Sequence, residues 1–365
     1  MTTIKNITDY LESIAPLSLQ ESYDNAGLIV GEPSRNVTGI LVALDCLEEI
    51  IDEAVGQNCN LVIVHHPIVF AGIKKLNGKN YIERTVIKAI QKNIAIYAIH
   101  TNLDNVIAGV NKKICQTLGL RNLQILAPKK NMLKKLVTFC PSGQVPQVQQ
   151  ALFEAGCGSI GNYDECSFNT SGTGTFRALE GAKPFVGEKG KQHREAETRI
   201  ETVFASYLES RVIAALKKTH PYEEVAYDIY QLENYSKEIG SGMVGELENE
   251  MKEQDFLKLV KLAMKTGNIR HTKLLERNVK RVAVCGGAGS FLINDAIRAN
   301  ADFFVTSDFK YHQFFDAENK LVIADIGHYE SEQFTSELLK ELLVRNFSTF
   351  AVRLTELVTN PVHYY

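Results

Sequence analysis

Three short patterns in this 365-residue sequence bring together side chains that bind metals. His65 and His66 close the apolar run LVIV and precede Pro67, which starts a loop. His100 and Asp104 lie four apart, as do His328 and Glu332, so on a helical turn each pair shares a face and can converge on one ion. Imidazole with carboxylate suits Zn, Fe, Mn, Co or Ni better than Ca, and two metals sharing carboxylates serve hydrolytic chemistry. Neighbouring side chains of a strand point to opposite faces. His65 and His66 therefore either serve one metal each, or leave the strand at a turn that aims both rings into one crevice.

Other residues carry weaker signals. Asp45 ends an apolar run where a carboxylate could orient a ligand imidazole. Asp308, Tyr311 and His312 follow the run FFVTS and could line the same crevice, and Tyr23, Asp24, Asn25 and Gly27 read as a polar turn. The GGAGS stretch at Gly286, Gly287 and Gly289 lacks GxGxxG spacing and a Walker lysine, so it reads as a structural turn, with Ser290 as a helix cap. His193, His220, His271 and His363 have no partner pattern and read as structural or surface histidines.

The elements that position these residues recur. GILVAL, a helical-period stretch (Leu47, Ile50, Ile51, Ala54, Val55) and LVIV read as strand, helix, strand. Adding 242 carries this passage onto RVAV, Phe291 to Ile297, and FFV, with Val37 on Val279, Ile40 on Val282 and Asn60 on Asp302. The apolar stretches 94–99 and 321–326, each followed by a histidine and then a carboxylate, match at an offset of 228, so the second half is 14 residues shorter there. Two related α/β halves are expected, with the site at the carboxyl ends of their strands. Between them, strand, helix, strands, helix, strand is the pattern of a ferredoxin-like α+β insert, and its charge-rich stretch 181–197 reads as a solvated connector. The expected domains are 1–129, 130–240 and 241–365.

Composition narrows the function classes. Forty Lys plus Arg against 43 Asp plus Glu leaves a net charge of −3, which argues against general binding to nucleic acid or to an anionic membrane. No run of about 18 apolar residues occurs, and the N-terminus lacks the basic-then-apolar order of a signal peptide. Seven Cys without a CxxC pair indicate neither a disulfide framework nor a Cys-based zinc site, so a soluble protein of the reducing cytoplasm is expected.

The segments YDNAGLIVG (from Tyr23), VIVHHPIVF (from Val62), IHTNLDN (from Ile99) and IGHYESE (from Ile326) resemble the GTP cyclohydrolase 1 type 2 family, also called the Nif-three-like family. The middle region, with HPYEEVAYDIY from His220, looks like the CutA- or PII-like domain inserted in longer bacterial members. The resemblance implies two divalent metal ions on His65, His66, Asp104, His328 and Glu332, with His100 as a ligand or proton-transfer group. It also implies toroidal hexamers with metal sites facing an internal cavity. Tyr23 stands where many members carry Trp. The activity implied is hydrolysis of GTP to dihydroneopterin triphosphate and formate by metal-activated water, with Lys74, Lys75 and Lys310 available for the phosphates. A phosphoesterase for small nucleotides, or a hexameric metal-binding scaffold without turnover, would use the same residues.

Overall fold

Each apolar run becomes a buried strand in one of two parallel ladders. The computed structural model describes residues 1–365. The first half supplies β1 (Gly27–Val30), β2 (Gly39–Ala43), β3 (Leu61–Val64), β4 (Ala95–Ala98) and β5 (Arg121–Pro128). The middle segment supplies β6 (Leu133–Pro141), β7 (Ser167–Arg177), β8 (Gln192–Ala205) and β9 (Tyr227–Leu232). The last part supplies β10 (Gly240–Lys252), β11 (Arg270–His271), β12 (Asn278–Ala288), β13 (Phe303–Ser307), β14 (Val322–Asp325) and β15 (Ala351–Leu354). The chain divides into two compact units, Met1–Pro128 with Glu238–Tyr365, and Lys129–Lys237.

The larger unit holds two sheets, ordered β1-β4-β3-β2-β15 and β11-β14-β13-β12-β10-β5. β2, β3 and β4 are parallel with antiparallel β1 beside β4, and β12, β13 and β14 are parallel with antiparallel β11 beside β14. The repeat extends to single residues. Ile40 pairs with Leu61 and Val282 with Phe303, an identical register at an offset of 242. Thr38 N–H donates to Asn60 Oδ1 at 2.9 Å, and Lys280 N–H donates to Asp302 Oδ2 at 2.8 Å. The third strands correct one expectation. Leu61 pairs with Ala95 and Phe303 with Val322, so the offset across these strands is 227 rather than 228. The extra residue is Gly327, whose φ of 95° inserts a left-handed step between Ile326 and His328.

Asp302 also accepts from Arg281 N–H at 2.9 Å, tying the entry of β12 to that of β13. Losing a carboxylate that satisfies two backbone donors should cost about 1–3 kcal/mol. Asp302→Ala is therefore expected to lower the urea midpoint at an unchanged slope, and an unaltered midpoint would contradict this role.

The smaller unit runs β6, helix Val145–Glu154, β7, β8, helix Glu209–Thr219, β9, with all pairs antiparallel in the order β7-β8-β6-β9. Its core includes Leu136, Val148, Leu152, Ile200, Phe204, Val212 and Leu216. Residues 192–197, expected in the connector, belong to β8, and the Gly, Ser and Thr-rich stretch from Ser167 belongs to β7. These segments pair through backbone along 11 positions while β7 buries almost nothing, so no apolar alternation marks them. No helix in the chain is long and apolar enough to cross a membrane.

Candidate metal centre

The candidate ligands come together in the larger unit, just past the carboxyl ends of β3, β4 and β14. β3 stops at Val64, and the N–H groups of both His65 and His66 donate to Leu44 O, at 3.1 and 3.0 Å. That turn places both rings on one side, with centroids 5.0 Å apart. His100 precedes the helical turn Thr101–Asp104, and His328 opens the turn His328–Glu332. The ring of His100 lies 5.2 Å from that of His65 and 5.5 Å from that of His66, while His328 lies 5.2 Å from His66.

Each of the four imidazoles is oriented through Nδ1. His65 Nδ1 meets Ile99 O at 2.8 Å, His66 meets Asp45 at 2.7 Å, His100 meets Asp24 at 2.8 Å, and His328 meets Asp308 at 2.6 Å. Carbonyls and carboxylates only accept, so Nδ1 carries the hydrogen and Nε2 faces the centre, the arrangement that raises ligand basicity and fixes the tautomer. The supports are themselves held. Thr359 Oγ1 donates to Asp45 Oδ2 at 2.6 Å, and Thr101 donates to Asp24 through its N–H, at 3.0 Å, and through its hydroxyl.

Glu332 sits at the middle. Its Oε1 is 3.7 Å from His65 Nε2, and its Oε2 is 2.9 Å from His66 Nε2 and 3.1 Å from His328 Nε2. Asp104 Oδ1 lies 3.6 Å from His65 Nε2. Three sets have ligand atoms mutually within 4.8 Å: His65, Asp104 and Glu332; His66, His328 and Glu332; and His65, His66 and His100. This buried cluster could hold a metal ion.

Electrostatics favour a cation here. Burial opposes ionisation of Glu332, but hydrogen bonding with the surrounding imidazoles holds its carboxyl well below the usual range. Burial and then the neighbouring Glu332 charge push Asp104 up. Burial would lower His66, yet Asp45 and Glu332 outweigh it and raise the imidazolium to about 10; Asp308 and Glu332 likewise raise His328 to about 11. A cation entering the cluster must displace these protons. Titration of Zn²⁺ or Mn²⁺ near neutral pH is therefore expected to release protons, with affinity rising as pH rises towards about 10. Calorimetry in buffers of different ionisation enthalpy checks this, and a buffer-independent heat would contradict it.

The cluster opens into a cavity of about 980 Å³. Seven carboxylates line it (Glu21, Asp45, Asp104, Asp308, Asp325, Glu330, Glu332), with Arg270 as the lining residue of fixed positive charge. Lys74, Lys75 and Lys310 do not line this wall and are solvent-exposed. Arg270, which sequence reasoning missed, pairs with Asp325 and donates to Phe309 O at 2.9 Å. Asp308 lines the cavity as expected, whereas Tyr311 and His312 stay exposed outside it. Ser290 is no cap: Gly289 holds that position, and Ser290 Oγ accepts from Gln313 at 3.1 Å.

Comparison with known proteins bears on this geometry. The Duf34/NIF3 family (NGG1p interacting factor 3) matches residues 2–361. This chain belongs to the Duf34/NIF3 family. A relative from Bacillus subtilis (strain 168), called GTP cyclohydrolase 1 type 2 homolog, is 38% identical over 362 residues, covering 98% of this chain and 97% of its own. A crystal structure of a Bacillus cereus protein related to NIF3 superposes with a TM-score of 0.87 at 36% identity, over 100% of this chain and 99% of that one. The Staphylococcus aureus protein SA1388 gives 0.79 at 29% identity, over 100% and 99%. The match spans both halves of the repeat.

Proposed function

We propose that this protein is a hydrolase of a small nucleotide, GTP in the first place, that works with two divalent ions. One ion is assigned to His65, Asp104 and Glu332, and the other to His66, His328 and Glu332. The observation that carries this reading is a pair of orphans: His65 Nε2 and Asp104 Oδ1 are buried, face one another and have no hydrogen-bond partner. Each such atom costs about 1–3 kcal/mol when left unpaired, and a cation between them satisfies both. The relatives' printed name supports GTP as the substrate.

Bound divalent ions supply Lewis acidity, polarising an electrophilic carbon and bringing the pKa of water towards about 7. The protein's own residues then divide the remaining work. His100, outside the two assigned ligand sets, keeps Nδ1 on Asp24 and presents Nε2 to the cavity, where it takes a proton from a water that adds to C8 and returns it to N9 as the C8–N9 bond breaks, leaving a formyl group on N7; a second water and the same exchange at N7 break C8–N7 and release formate. Burial opposes ionisation of Asp24, but hydrogen bonds from His100 and Thr101 hold it down at about 2, so it remains a carboxylate partner at neutral pH. Phe70 packs its ring edge-on to His100 at 5.4 Å. The triphosphate meets a wall of seven carboxylates and one arginine, so it fits only with cations present. That imbalance favours, as a second reading, phosphoester hydrolysis of a nucleotide with fewer phosphates.

Formate release from GTP by metal-loaded protein tests the proposal. Wild type is expected to release formate, His100→Ala to lose about 10²–10⁴ in kcat, and Asp24→Asn to fall between them, all with metal content retained. Release of inorganic phosphate without formate would move the assignment to a phosphoesterase. Absence of turnover on any nucleotide would leave the cluster a structural metal site in a scaffold.

A further inference from the structure

A second cavity, of about 760 Å³, lies within the Lys129–Lys237 unit and shares no residue with the metal centre. Its size suits an organic molecule. The wall is mainly apolar, built by Phe176 of β7, by Leu179 and Phe185 of the following loop, and by Tyr222. The rings of Phe176 and Phe185 lie 6.0 and 6.3 Å from that of Tyr222.

One polar group in this wall is unusual. Glu197 of β8 is only 9% accessible. Tyr222 donates its hydroxyl to Oε1 at 2.8 Å, while Oε2 receives no hydrogen bond from the protein. The strand makes room for that free oxygen: at Gly174 a Cβ would stand 2.0 Å from Oε2. Tyr222 is itself fixed. His220 donates from Nε2 to Phe139 O at 2.9 Å and accepts Tyr222 N–H on Nδ1 at 3.1 Å, so one neutral tautomer clamps the tyrosine. Glu223 accepts Lys183 N–H at 2.8 Å, which holds the 178–191 loop against the wall. The HPYEE motif at His220, which the metal centre does not use, therefore builds this cavity. The two arginines on the wall leave the acid uncovered. Glu223 and Glu224 balance Arg177 and Arg199, and Arg199 Nε already pairs with Glu201 at 2.9 Å.

A neutral hydrophobe filling this cavity would bury the carboxylate with an unmet oxygen, and an anion would be repelled by it. A cation beside aromatic rings gains on both counts. We propose that the cavity binds a small organic ammonium, whose N⁺–H donates to Glu197 Oε2 while its apolar or aromatic body packs on Phe176, Phe185 and Tyr222.

Calorimetric titration of the full-length protein with 2-phenylethylamine and its neutral isostere 2-phenylethanol tests this. The amine is expected to bind, and the alcohol to bind roughly tenfold or more weakly. Glu197→Gln should weaken the amine by a similar factor, and so should Gly174→Ala, which keeps the charge but displaces Oε2. Equal affinity for amine and alcohol, binding of neither, or full amine affinity in Glu197→Gln would each overturn the proposal. If a variant fails to fold by circular dichroism, the amine against alcohol comparison in the wild type decides.

Discussion

Glu332→Gln is expected to abolish metal uptake and turnover together while the chain stays folded. Oε1 of Glu332 looks towards His65, and Oε2 towards His66 and His328, so one carboxylate serves both assigned ions. The amide keeps the shape but removes the charge, and turns one of the two acceptors into a donor facing an imidazole. Disturbing a mere support of a ligand already costs about 10–100-fold in metal affinity, so replacing the shared ligand should exceed that. Folding should survive because Asp45 and Asp308 still hold the Nδ1 atoms of His66 and His328. Metal content after gel filtration and formate release are the readouts. Full metal retention with lost turnover would remove Glu332 from the ligand set.

Gly287→Ala should be the most damaging change outside the ligands. The residue has φ +62°, and an added Cβ would stand 2.5 Å from Glu332 Oε1 and 3.3 Å from His328 Cε1. The left-handed conformation alone costs a residue with a side chain roughly 1–2 kcal/mol, and displacement of a buried carboxylate adds to it. Glu332 Oε1 occupies the space that a side chain at this position would need. Expected are a fall in melting temperature of roughly 2–4 °C per kcal/mol lost, and metal content well below wild type. Wild-type values of both would contradict this account of the glycine.

The centre was legible because it is duplicated. His100 with Asp104 and His328 with Glu332 recur after matching strands, and the fold brings them within ligand distance of the adjacent His65 and His66. Asp45 could be read from its place at a strand end. Asp24 could not, because its bonds to His100 and Thr101 span 76 and 77 residues from a turn with no periodic pattern. Arg270 and Thr359 were silent for the same reason: what matters about them is a contact with Asp325 or, 314 residues away, with Asp45. The slip of one residue at Gly327 was hidden because apolar spacing tolerates it, whereas backbone pairing does not. A strand is legible near Phe176, but the rest of β7, up to Thr175, and the start of β8 escaped because strands that bury little carry no alternation to read.

Under the proposed function two ions would occupy this crevice, with Glu332 in both ligand sets. Anomalous diffraction from crystals of manganese- or zinc-loaded protein, collected on both sides of the metal's absorption edge, tests it most directly. The account predicts two peaks, each about 2.0–2.2 Å from its nitrogen and oxygen ligands, one against His65 and Asp104, the other against His66 and His328, with Glu332 reaching both. A single peak away from Glu332, or none in the crevice at saturating metal, would contradict it.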